Sequence, residues 1–263
     1  MRHAPRKRFG QHFLRDASII SAIIAAIAPR PGDRLVEIGP GPGALTRPLA
    51  ERLDHLHVVE IDRDLVAELR RTLPPDRVTV HEADALEFDF TGLGDRLRVV
   101  GNLPYNISTP LLFHLADHAA ALKDIHVMLQ KEVVERMVAA PSRADYGRLS
   151  VMLQYRFEME QLFTVPAEAF YPAPKVESAV VRMAPFAALP HRARSEFHLR
   201  KVVTAAFAQR RKTLRNALKA YFNSTDLERL GIDPGLRAQD LSVADFVRLA
   251  DATAGELSPS CAE

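Results

Sequence analysis

Residues Asn102-Leu103-Pro104-Tyr105 follow the apolar run Leu97–Gly101, which reads as a buried strand. An amide, a proline and an aromatic at a strand's carboxyl end form a compact receptor for a flat base carrying an exocyclic amine. The Asn102 side-chain oxygen and the Leu103 carbonyl can each accept a hydrogen bond from such an amine. Pro104 restrains Leu103 to an extended conformation and so aims its carbonyl outward. Tyr105 offers a face on which the base can stack. The same four residues also make an ordinary turn, so their meaning depends on what surrounds them.

A second constellation lies upstream. The run Val36-Glu37-Ile38-Gly39-Pro40-Gly41-Pro42-Gly43-Ala44-Leu45-Thr46 spaces its glycines as GxGxG, not as the dinucleotide GxGxxG. Such glycines let the backbone approach a ligand closely and turn into a helix. Glu60 stands 21 residues after Gly39, at the end of the next strand-like run, where a carboxylate can accept both ribose hydroxyls. Asp84 falls at the end of the third run and can receive an adenine amino group; it serves equally as a loop cap, and Glu37 as a solvated strand end. Gly39, Gly41, Glu60 and Asp84 thus outline a nucleoside site, with no Lys or Arg clearly placed for a pyrophosphate. Three carboxylates suit a cationic sulfonium nucleoside better than a dianionic dinucleotide.

These residues need a scaffold that presents strand ends side by side. Strand-like runs at Arg34–Gly39, His55–Ile61, Arg77–Glu82, Leu97–Gly101, Asp124–Gln130, Ser150–Phe157 and Ser178–Met183 alternate with helical patterns over the first four. That order predicts an α/β fold, a mostly parallel sheet with helices on both faces and functional loops at the strands' carboxyl ends. No long helix is expected between the last two runs, so the sheet closes with an antiparallel strand. A helical pattern over Phe197–Phe222 follows a proline-bearing connector, with shorter ones around Leu227 and over Val243–Ala250. Two domains are expected, a ligand-binding one at 1–188 and a small helical one at 189–263.

Composition narrows the setting. The 263 residues are 47% hydrophobic with a single cysteine, Cys261, which excludes a disulfide framework and a cysteine metal site and fits a reducing cytoplasm. The most apolar stretch, Ala17–Ala28, is too short to span a bilayer and lacks signal-peptide flanks. Net charge is only +2, yet residues 1–16 hold five Lys/Arg against one acid and residues 191–219 hold nine against one. Two basic segments on an acidic body point to a local polyanion-binding surface, although basic helix faces are also commonly just solvated.

Taken together, the chain resembles the class I S-adenosylmethionine-dependent methyltransferases, and within them the bacterial small-subunit rRNA adenine N6,N6-dimethyltransferases (the KsgA, or RsmA, family). The matching strings run in order from Arg8-Phe9-Gly10-Gln11-His12-Phe13-Leu14 through VEIGPGPGALT (36–46), VEID (59–62) and GNLPYNIST (101–109). They continue with Tyr171-Pro172-Ala173-Pro174-Lys175-Val176-Glu177-Ser178 and end at Phe207-Ala208-Gln209-Arg210-Arg211-Lys212-Thr213-Leu214-Arg215. The resemblance implies a class I methyltransferase-like Rossmann sheet with a helical C-terminal domain. It implies dimethylation of two adjacent adenosines near the 3′ end of small-subunit rRNA, in an immature 30S subunit, with neither membrane nor metal involved. Cofactor contacts are implied for His12, Leu14, Gly39, Glu60, Asp84 and Asn102; the family carries Asn or His at position 12, which favours a backbone contact there. Tyr105 stacks on one face of the adenine, and Phe170 is the candidate for the other, its alternative being a core position. The basic segments then acquire RNA: Arg6, Lys7 and Arg8 at the active-site mouth, and Arg210, Arg211 and Lys212 on the first C-terminal helix, with Arg215 one turn on. Competing readings are a large-subunit rRNA adenine N6-methyltransferase of the antibiotic-resistance type, a nucleic-acid-binding relative without catalysis, and a nicotinamide oxidoreductase.

Overall fold

The structure, a computed structural model, describes residues 11–256. In chain order its elements are β1 (Phe13–Leu14), α1 (Ala17–Ile27), β2 (Leu35–Ile38), α2 (Thr46–Ala50), β3 (Leu56–Glu60), α3 (Arg63–Thr72), β4 (Val78–Glu82), β5 (Leu97–Asn102), α4 (Ser108–Asp117) and β6 (Leu122–Gln130). They continue as α5 (Lys131–Val138), α6 (Arg148–Gln154), β7 (Phe157–Val165), β8 (Phe170–Tyr171), β9 (Ser178–Pro185), α7 (Glu196–Ala208), α8 (Leu214–Ala217), α9 (Ser224–Arg229) and α10 (Val243–Glu256).

Seven strands form one sheet in the order β4-β3-β2-β5-β6-β9-β7. The pairs β2–β3, β3–β4, β2–β5 and β5–β6 are parallel, whereas β6–β9 is antiparallel. β2 is buried along its whole length, as a central parallel strand covered on both faces must be. The strand order reverses beside β2, so the carboxyl ends of β2 and β5 flank a crevice where ligands of such folds bind. Helix α1 is started by Asp16, whose carboxylate accepts from the Ser18 and Ile19 amides, and it buries Ile23, Ile24 and Ile27. A buried ion network ties its other end to the sheet. Arg98 Nε lies 2.9 Å from Asp124 Oδ1, Nη1 lies 2.7 Å from Asp33 Oδ2, and Nη2 donates to the Ile27 carbonyl.

Three expectations change. The run 150–157 is not a strand: Arg148–Gln154 is helix α6, and the strand begins at Phe157. A short apolar run reads alike as buried strand or buried helix, and here Ser150 decides, its hydroxyl capping the helix by accepting from the Gly147 amide. The expected helix over 197–222 stops at Ala208; Gln209–Lys212 form a turn before the four-residue α8. Finally, the described chain forms two compact units, one of residues up to Val134 with Glu158–Pro185, the other of Glu135–Phe157 with the residues from Phe186. The last crossing falls close to the expected boundary at 188, but α6 and its flanks belong with the helical unit.

Candidate active site

One cavity opens at the carboxyl ends of β2, β3 and β5, where the expected ligand residues converge. His12, Leu14, Gly39, Gly41, Glu60, Asp84 and Asn102 all line it, as do Leu103, Pro104 and Tyr105. The strand ends explain the convergence, because each of the first four sheet strands delivers its following loop to the same edge.

The glycine loop is shaped by contacts that a side chain would block. Gly41 has a φ of 55°, and a Cβ there would lie 3.1 Å from Phe13 Cδ1. Its amide donates to Glu60 Oε2 at 3.4 Å, while the Asp62 amide donates to Oε1 at 2.9 Å. Both Glu60 oxygens are thereby aimed from the end of β3. Gly101 permits the closest approach in the site: a Cβ on it would sit 2.4 Å from the Ile38 carbonyl oxygen. That contact draws β5 against the end of β2 and sets the depth at which Asn102 emerges.

The site is acidic and dry at its base. Glu37 is 1% exposed, and its Oε2 has no hydrogen-bond partner within the described structure. Burial pushes its carboxyl up to about 8, and the charge of Glu60 adds to the rise while the nearby Thr46 hydroxyl opposes it. Glu60 is also raised, again mainly by burial, despite the two amides that favour its charged form. Asp84 caps its loop, Oδ1 accepting from the Leu86 amide at 2.9 Å, and also lines the cavity.

Asn102 is held by a neighbour distant in sequence. Its Nδ2 donates to the His12 carbonyl at 2.8 Å, across 90 residues. A carbonyl can only accept, so this bond assigns the amide orientation and leaves Oδ1 as the end available to a donor. The Leu103 amide donates to the Met128 carbonyl on β6, and the Ser108 hydroxyl donates to the Tyr105 carbonyl, fixing the turn into α4. Tyr105 shares a 2.7 Å hydrogen bond with Ser178 on β9. The His12 ring stacks on Tyr105 with centroids 5.5 Å apart, and its Nδ1 lies 2.7 Å from the Pro172 carbonyl. A base on Tyr105 therefore uses the other ring face or displaces His12.

Phe170 takes the alternative left open for it, a core position, and not the face of the pocket. It is 1% exposed and belongs to the core cluster with Leu14, Val165 and Val180; neither it nor Tyr171 is among the residues lining the cavity. β1 and β8 form an antiparallel pair in which Leu14 faces Phe170 and Phe13 faces Tyr171. Successive strand residues point to opposite sides, so burying Phe170 turns Tyr171 outward, onto the side of Phe13. Tyr171 is 59% exposed, with the Arg15 guanidinium 5.8 Å from its ring centre. Sequence reasoning also missed Ile61, an exposed apolar side chain lining the cavity just after Glu60. Its signal was available: an isoleucine at a parallel strand's carboxyl end, next to the Glu60 carboxylate.

Of the basic residues, Arg6, Lys7 and Arg8 lie outside the described residues. Arg210, Arg211 and Lys212 are exposed but sit in the turn after α7, not on the helix, and one Arg210 nitrogen donates to the Ala144 carbonyl at 2.6 Å. Arg215 is exposed on α8. Among the described residues no cluster of three or more His, Cys, Asp or Glu could hold a metal, and no helix is long and apolar enough to cross a membrane.

Comparison with known proteins agrees with this architecture. The ribosomal RNA small subunit methyltransferase A of Thiobacillus denitrificans is 64% identical over 244 residues, covering 93% of this chain and 96% of that protein. That of Methylobacillus flagellatus is 62% identical over 251 residues, covering 95% and 98%. Among solved structures, a dimethyladenosine transferase from Plasmodium falciparum superposes with a TM-score of 0.78 at 26% identity, covering 90% of this chain and 96% of that one. The 23S rRNA methyltransferase ErmE gives 0.71, also at 26% identity, covering 92% and 99%. The sheet order, the antiparallel strand and the appended helices are those of a class I methyltransferase. With the family model matching residues 2–254, nearly the whole chain, the protein belongs to the ribosomal RNA adenine dimethylase family.

Proposed function

We propose that this enzyme transfers methyl groups from S-adenosyl-L-methionine to N6 of two adjacent adenosines near the 3′ end of small-subunit rRNA, acting on an immature 30S subunit in the cytoplasm. The observation that carries the reading is the oriented Asn102 amide, its nitrogen tied to His12 and its oxygen left to accept from an amine.

The cavity fits a cationic nucleoside cofactor. Glu60 is placed for the ribose hydroxyls and Asp84 for the adenine amino group, with Ile61 offering an apolar face to the ring. The unpartnered Glu37 Oε2 gives the cavity a buried acceptor suited to positive charge. When bound, the cofactor supplies an electrophilic methyl on a sulfonium. Adenine N6 is a poor nucleophile because its lone pair is delocalised into the ring. By accepting the N6 hydrogens, Asn102 Oδ1 and the Leu103 carbonyl favour a pyramidal nitrogen whose lone pair faces the methyl. Asn102 Oδ1 and the Leu103 carbonyl would hold the nitrogen in line for that methyl, with the cofactor's sulfur as the leaving group. The nitrogen proton becomes acidic and leaves to water, so no side-chain base is required. Catalysis is then chiefly positioning and electrostatics. Tyr105 stacks against the base, Tyr171, exposed and paired with the lining residue Phe13, becomes the candidate for its second face, and extrusion of the base from the RNA precedes transfer. Arg210, Arg211, Lys212 and Arg215 contact phosphates.

The test is labelled-methyl transfer to immature 30S particles lacking the modification, followed by mapping of the methylated nucleotides. Two adjacent dimethylated adenosines near the 3′ end are expected. Asn102→Ala should abolish transfer while cofactor binding, read by calorimetry, is largely kept. Preferential methylation of large-subunit precursors, or normal turnover by Asn102→Ala, would overturn the reading.

A further inference from the structure

Helix α7 carries a feature that neither the sheet nor the methyl-transfer site requires. Phe197, in its first turn, is 61% exposed, the most exposed large hydrophobic among the described residues. Burying such a ring removes a large apolar area from water, so its exposure leaves that gain unused. Here the inward-facing positions are filled by Leu199, Val202, Val203 and Ala206, all fully buried, leaving Phe197 on the opposite face.

What accompanies the ring gives it a chemistry. Lys201, one turn on, holds its Nζ 4.3 Å from the Phe197 centroid. The exposed positions Phe197, Arg200, Lys201, Thr204 and Ala208 recur at helical spacing and form one stripe, which runs into the exposed turn of Arg210, Arg211 and Lys212. At 1.5 Å per residue the helical part of that stripe is about 16 Å long, enough to follow several phosphates. From Phe197 to Lys219 the chain holds seven Lys/Arg and no acid. Glu196, just before the stripe, is turned to Arg156 in an ion pair. An exposed aromatic ring with cations beside it, in a segment without acidic residues, is the pattern by which proteins stack unpaired bases while tracking a backbone.

We propose that Phe197 and Lys201 form a nucleobase-stacking site for unpaired rRNA, the aromatic end of a basic stripe whose other end is the Arg210–Lys212 turn. This rests on the rRNA substrate proposed above. The occupant is an RNA base, because the ring is flanked by Lys201 and its face leads into the exposed Arg210–Lys212 turn; an apolar protein surface would cover those cations without supplying an anion.

The chain contains no tryptophan, so Phe197→Trp introduces a single fluorescent reporter at the site. Its emission should be quenched on addition of an unpaired oligoribonucleotide and of naked small-subunit rRNA. Phe197→Ala should weaken binding of the same RNAs roughly 5- to 100-fold, the range for loss of one stacked base. It should do so with the slope of log affinity against log salt unchanged, whereas Arg211→Ala should reduce that slope by about one. Unchanged melting temperatures would certify both folds. Wild-type RNA affinity in Phe197→Ala, or an unquenched Phe197→Trp that still binds RNA, would overturn the proposal. So would a defect seen on 30S particles but not on naked rRNA, which assigns the ring to a protein contact. Failure of the wild-type chain to methylate immature 30S particles is a different result and would strike the substrate reading instead.

Discussion

Glu37 should make cofactor binding a proton-releasing event. Its carboxyl is buried at the floor of the cavity with Oε2 unpartnered, and burial raises it to about 8. At pH 7 a group with that value is about nine-tenths neutral. A cationic cofactor brought against it favours the charged form, so binding should expel close to one proton per site. Affinity should then rise nearly tenfold per unit between about pH 6 and 7 and flatten above about 8. Calorimetry with S-adenosylmethionine in two buffers of different ionisation enthalpy reads the proton count directly. Glu37→Gln keeps the shape but cannot titrate, so its difference from wild type isolates this carboxyl from the cofactor's own amine. The stability of the cofactor-free protein should move oppositely. Glu37 is neutral in the fold and charged in the unfolded chain between about 4.5 and 8, so its contribution is complete below about 4.5 and is lost as pH rises through about 8. Equal proton release by wild type and Glu37→Gln at pH 7 would refute the reasoning.

Exchanging the neighbours on β8 separates packing from recognition. Phe170→Ala empties a fully buried core position and should cost about 3–5 kcal/mol of stability, seen as a lowered denaturation midpoint. Tyr171→Ala should leave stability nearly unchanged and lower methyl transfer, measured as kcat/KM with rRNA; the reverse pattern would restore Phe170 to the site. Arg98→Ala strands Asp33 and Asp124, both nearly buried, and should cost about 3–5 kcal/mol, or on the order of 10 °C in thermal midpoint. Lys123, 2.9 Å from Asp33, compensates only in part. Burial alone would raise Asp124, but His126, 3.5 Å away, and the Arg98 guanidinium hold it at about 2, so its contribution is complete above 3.8 and is lost as pH falls through about 2.

Much of the site is local and was therefore legible. A glycine run after a β-branched strand, a carboxylate at the next strand's end and Asn-Leu-Pro-Tyr after a third each depend on a few neighbouring residues. A parallel sheet then carries all three to one edge whatever the rest of the chain does. Residues 148–154 were misread because a short apolar run has no decisive period; the capping hydroxyl of Ser150 and its packing settle the helix. The overlong helix was misread because residues 209–213 hold no Gly or Pro, and the break comes from tertiary pairing of Thr213 with Arg237.

The sequence by itself determined which residue types meet at the strand ends, and so an acidic nucleoside cavity beside an amine receptor. Only the tertiary structure decided how that receptor is held and faced. His12 reaches Asn102 across 90 residues and Pro172 across 160, contacts that no local pattern encodes. The β1–β8 register then chose Phe170 for the core and Tyr171 for the outside, because a strand's faces alternate with every residue and a shift of one exchanges them.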